Sequence, residues 1–83
     1  MKVTVRYFAS IREAIGQSSE AVETAATTLG ALRDELIARG GAHASSLARG
    51  KAVRMALNQT LSDESAILAD GAEVAFFPPV TGG

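Results

Sequence analysis

Residues Glu73 to Phe77 make a five-residue run, β-branched and aromatic in part, that ends directly on Pro78-Pro79. That junction constrains the fold more than any other stretch. Proline has no N–H for a strand ladder and holds φ near its extended value, so the strand stops and the chain continues as a stiff, extended segment. Beyond it lie Val80, Thr81, Gly82 and Gly83. Without Cβ atoms, Gly82 and Gly83 let a second protein's backbone and a nucleotide close tightly on both sides of the chain. The reactive group at this end is the α-carboxylate of Gly83.

The rest of the sequence supplies partners for that strand. Met1 to Phe8 alternates, with Val3, Val5 and Tyr7 on one parity and Lys2, Thr4, Arg6 and Phe8 on the other, which predicts a half-buried first strand. Ser10-Ile11-Arg12-Glu13 has the spacing of a capping box and predicts a short helix that buries Ile11 and Ile15 and stops at Gly16. Glu20 to Thr24, around Val22, predicts a strand paired with the first. Thr27-Thr28 then caps the main helix, whose apolar stripe is Leu29, Leu32, Leu36 and Ile37, with Arg33, Asp34 and Arg39 off the stripe and Gly40-Gly41 as the stop. Residues 42–50 fit a turn of helix through Ala44, Leu47 and Ala48, or a loop through Ser45-Ser46 and the bordering glycines, the turn being favoured. Lys51 to Asn58 alternates again, with Val53, Met55 and Leu57 inward. Asn58-Gln59 turns the chain. Thr60 to Ala69 reads as irregular, with a brief strand and apolar anchors at Leu61, Ile67 and Leu68, and Asp70-Gly71 is a tight turn into the last strand.

Strands flanking one principal helix give an α+β domain with that helix packed on one sheet face. Eighty-three residues hold one small core, too little for a multi-step active site with its own lid. Eight Lys and Arg against nine Asp and Glu leave no charge block, so neither nucleic acid nor membrane is expected as a partner. The absence of cysteine excludes disulfides, thiolate metal sites and a side-chain persulfide. There is no secretory pattern at the start and no long apolar run, which points to the cytoplasm. His43, the lone histidine, reads as a solvated loop residue, and Asp63, Glu64, Asp70 and Glu73 read as a solvated face rather than an acid/base pair. No metal site is expected. Phe77 shares its parity with Glu73 and Ala75, and Phe8 with Lys2 and Arg6. Both rings therefore land on the charged face, exposed, as a partner-binding patch does.

The terminal Phe-Phe-Pro-Pro-Val-Thr-Gly-Gly, with Asn58-Gln59-Thr60-Leu61, Asp70-Gly71-Ala72-Glu73-Val74, Phe8-Ala9 and Arg12-Glu13, resembles the small subunit of molybdopterin synthase, a ubiquitin-like sulfur carrier family, over the whole chain. The resemblance implies a β-grasp with a mixed sheet, its first and last strands central and parallel. It implies a domain over residues 1–78 and a flexible tail over 79–83, in which Gly83 is the carrier group and Val80, Thr81 and Gly82 reach into partners. It adds Leu61 to Phe8 and Phe77 as partner-binding residues. By the same resemblance the chain binds no cofactor and is not catalytic alone. An ATP-dependent enzyme adenylates Gly83, a thiocarboxylate follows, and the large synthase subunit, in a heterotetramer, directs the sulfur to cyclic pyranopterin monophosphate. A carrier for thiamine or another sulfur product, and a ubiquitin-like protein modifier, are the alternatives. A plain structural domain leaves the Gly-Gly terminus without a use.

Overall fold

A computed structural model describes residues 1–79. The elements in chain order are β1 (Lys2–Tyr7), α1 (Ala9–Ile15), β2 (Ser19–Glu23), α2 (Leu29–Ala38), α3 (Gly41–Leu47), β3 (Arg54–Leu57), β4 (Thr60–Ser62) and β5 (Glu73–Phe77). The sheet order is β2-β1-β5-β3-β4. β5 runs parallel to β1 and antiparallel to β3, so the first and last strands are central neighbours, as the β-grasp expectation required. Val3, Val5 and Tyr7 of β1, Val74 and Phe76 of β5, and Leu29, Leu32 and Leu36 of α2 are buried together on the helix-covered face. Period two in the strands and the 3.6-residue period in α2 meet in this one core.

Local chemistry explains most boundaries. The Thr28 hydroxyl accepts from the Ala31 N–H at 3.2 Å and opens α2. Gly16, at φ 89°, closes α1 in the left-handed conformation. Asn58 and Gln59 both take positive φ, 50° and 70°, in the two-residue turn that joins β3 to β4.

Several expectations are corrected. Ser10 is not a cap. The ladder continues through Phe8, whose N–H donates to the Phe76 carbonyl, and the chain then turns at Ala9 (φ 53°) so that Phe8 itself precedes the helix without a side-chain cap. β3 starts at Arg54 rather than Lys51, because the Lys51 N–H closes a turn onto the Ala48 carbonyl and its own carbonyl accepts from Arg33. Arg33 is not off the stripe but 4% exposed. Four residues after Leu29 and four before Ile37, it lies on the apolar face and donates to the carbonyls of Leu47 (2.7 Å) and Ala48 (2.8 Å), satisfying the end of α3. Of the three anchors expected over residues 60–69, Leu68 alone is buried, whereas Leu61 in β4 and Ile67 beyond it are 62% and 70% exposed.

Candidate functional site

The outer face of the sheet is read from its registers. Across one level, Arg6 pairs with Ala75, Ala75 with Ala56, and Ala56 with Leu61. One level toward the C-terminal end of β5, Phe77 pairs with Arg54, and Phe8 lies beside it through its bond to the Phe76 carbonyl. Paired residues share a face, so Phe8, Phe77 and Leu61 are brought onto one surface by three different strands. The floor between them is low, since Ala75 and Ala56 end at Cβ. Arg54, Ala56 and Ala75 were legible by parity as outward residues; their convergence needed the register.

Phe8 is 40% exposed, its ring 5.4 Å from the Arg6 guanidinium carbon, and Arg6 also pairs with Glu73 at 3.3 Å. Phe77 is half-buried rather than freely exposed, a correction with a simple cause: β5 is central, so hydrogen-bonded neighbours flank the ring on both sides. The surface is an apolar patch bordered by Arg6, Glu73 and Arg54, and it stands at the end of β5 from which Pro78 and Pro79 continue. Val80, Thr81, Gly82 and Gly83 lie outside the described residues.

The other titratable candidates serve the fold. His43 is not a solvated loop residue: it sits on α3, with Nε2 2.9 Å from Glu20 and its ring edge-on to Tyr7. Glu20 has the inward parity of Val22 and is met by the Tyr7 hydroxyl at 2.7 Å and by Arg39 at 2.8 Å. Burial pushes the Glu20 carboxyl up, but hydrogen bonds from Tyr7, Arg39 and His43 outweigh it and bring the group down to about 2. Burial, then the bond to Glu20, pushes the Tyr7 hydroxyl up. Glu64 is held by Arg33 and Arg49, Asp70 accepts from the Lys2 N–H, and Asp63 accepts from Ser65, so these carboxylates are dispersed and form no acid/base pair. Among the described residues no three His, Cys, Asp or Glu side chains gather as a metal site, and no helix is long and apolar enough to cross a membrane.

Comparison with known proteins agrees with this geometry. The sequence model of the ThiS family matches residues 5–83. The molybdopterin synthase sulfur carrier subunit of Escherichia coli K12 is 43% identical over 81 residues, covering 98% of this chain and 99% of that one. A chain in the complex of subunits 1 and 2 of the molybdopterin-converting factor of Helicobacter pylori is similar at 30% identity, with full coverage of both chains and a TM-score of 0.68. SAMP1 from Haloferax volcanii superimposes over both full chains with a TM-score of 0.78 at 25% identity, and shares the β-grasp.

Proposed function

We propose, given that this chain belongs to the ThiS family, that it is the sulfur carrier of molybdopterin synthase, working in molybdenum cofactor biosynthesis. The observation that carries the reading is the full-length similarity to a named sulfur carrier subunit, together with a Gly-Gly pair that follows a central strand in sequence after Pro78, Pro79, Val80 and Thr81. A rigid β5 fixes the origin of the tail, and the two prolines keep its first step extended. The outer face supplies a grip beside that origin.

A carboxylate is a poor acyl donor until one oxygen becomes a good leaving group. An ATP-using partner would join the Gly83 carboxylate to AMP and release pyrophosphate; a sulfur donor then displaces AMP and leaves a terminal thiocarboxylate. ATP is the activating enzyme's substrate, and the carrier holds no cofactor. Inside the large synthase subunit the tail delivers this sulfur to cyclic pyranopterin monophosphate, toward the dithiolene, in a cytoplasmic heterotetramer. The partners provide the catalytic side chains. Phe8, Phe77 and Leu61 dock, Val80 to Gly82 span the channel, and Gly83 reacts. Intact-mass analysis after incubation with ATP, the activating enzyme and a sulfur donor tests this: one oxygen-to-sulfur exchange at Gly83 supports it, and unchanged mass rejects it.

A further inference from the structure

Leu61 has little packing of its own to hold it. It is 62% exposed and sits in the three-residue edge strand β4, which is hydrogen-bonded to β3 alone. The Asn58-Gln59 turn fixes one end of that strand. At the other end an open cleft of about 530 Å³, lined by residues 53–55 and 61–64, leaves space beside the departing chain. Three residues after Leu61 stands Glu64, and there the chain is fixed again. The Glu64 carbonyl accepts from the Gly30 N–H at 3.0 Å in the first turn of α2, and its carboxylate receives Arg33 at 3.2 Å and Arg49. Both guanidinium groups are themselves held: Arg33 is buried on the Leu47 and Ala48 carbonyls, and Arg49 also donates to Asp34 and to the Gly30 carbonyl. Gly30 makes the approach possible. A Cβ there would lie 2.9 Å from Glu64 Oε1 and 3.0 Å from the Glu64 Cβ, and glycine within a helix is otherwise less favourable than alanine.

We propose that Glu64 is the positioning residue for Leu61: anchored on α2 and on Arg49, it holds the free end of β4 so that Leu61 stays on the outer face with Phe8 and Phe77. The use of that placement rests on the reading of the outer face as the docking surface; the placement itself does not. An edge strand held in its bound geometry loses less conformational freedom when a partner closes on it, so the anchor contributes affinity without touching the partner. Gly30→Ala separates the anchor from the charge. It keeps the carboxylate and improves the helix propensity of α2, while its Cβ pushes Glu64 aside.

The experiment measures amide exchange in the free 83-residue chain and calorimetric affinity for the large synthase subunit, in Glu64→Ala, Gly30→Ala, Leu61→Ala and the chain carrying both Glu64→Ala and Leu61→Ala. Exchange at residues 60–64 should rise about tenfold in Glu64→Ala and in Gly30→Ala while the β1 and β5 amides keep their protection. Affinity should fall about fivefold in each, but Glu64→Ala should lower it by less than about twofold once Leu61 is replaced, because the anchor then has nothing to position. Glu64→Gln, which keeps the length and an acceptor oxygen, should bind within about twofold of wild type. Unchanged exchange at residues 60–64 overturns the proposal. So does a Glu64→Ala loss of affinity that is the same with or without Leu61, which makes Glu64 a contact of the partner. Wild-type affinity in Leu61→Ala rejects the docking reading instead, and the exchange comparison then decides by itself whether Glu64 holds β4.

Discussion

Glu20→Gln removes a charge from an edge strand's inward position while keeping the side chain's shape. In the folded chain the carboxylate receives Tyr7, Arg39 and His43 and titrates at about 2, against 4.5 for the free group. That depression corresponds to about 3 kcal/mol of folding stability by linkage, or about 2 kcal/mol once the solvent-facing Arg39 arm is discounted. Because the folded value lies below the unfolded one, the contribution is complete above about pH 4.5 and disappears as pH falls through about 2. Glutamine also turns an NH₂ toward a site where Tyr7 and Arg39 already donate, so part of the network is left unsatisfied. Urea unfolding of both proteins from pH 2 to pH 7 is the assay. The variant should be less stable by about 2 to 3 kcal/mol at pH 7, with the gap closing below pH 4.5. A gap under about 1 kcal/mol at neutral pH, or one that stays constant down to pH 2, would refute the cluster as a source of stability.

Phe77→Ala should weaken binding of the large synthase subunit by more than about 1 kcal/mol in a calorimetric titration while the monomer stays folded; wild-type affinity rejects the outer face as the docking surface. Arg33→Met should cost about 3 kcal/mol in denaturant unfolding, because the Leu47 and Ala48 carbonyls lose their buried donor, and amide exchange in α3 should rise with it. Unchanged α3 protection would show that other contacts hold that helix. Gly16→Ala should cost about 1 kcal/mol in thermal or urea unfolding, from backbone strain alone, since an added Cβ at φ 89° meets nothing within 4 Å. A neutral result would mean that the α1 terminus relaxes out of the left-handed region.

Much of this is legible in the sequence. Alternation placed β1 and β5 and the outward parity of Phe8 and Phe77, and Thr28 with Gly16 announced two helix boundaries. What escaped was chiefly polar and tertiary. Arg33 has the spacing of a core residue, yet its charge argued for solvent; only α3 arriving with unpaired carbonyls makes its burial favourable. Glu20 and Thr24 share the inward parity of Val22, a signal that pointed to an internal carboxylate, but the groups that satisfy it come from β1, α2 and α3. His43 was misplaced for the same reason. The Ser10 box failed because strand pairing at Phe8 fixed where the helix begins, overriding a local capping preference. Leu61 was joined to Phe8 and Phe77 by resemblance alone, and its register with Ala56 puts it on the same sheet face as they are.

The most direct test of the carrier account is deletion of Gly83, read by intact mass for thiocarboxylate and by calorimetry for docking. On the proposed function, docking energy comes from the face around Phe8 and Phe77, whereas the reacting carbon must arrive within bonding distance of its partner's chemistry. Shortening the tail by one residue withdraws that carbon by about 3.3 Å, beyond what positioned catalysis tolerates. The account predicts no thiocarboxylate and an affinity for the large subunit close to that of the full chain. Normal thiocarboxylate formation from the shortened chain would contradict it.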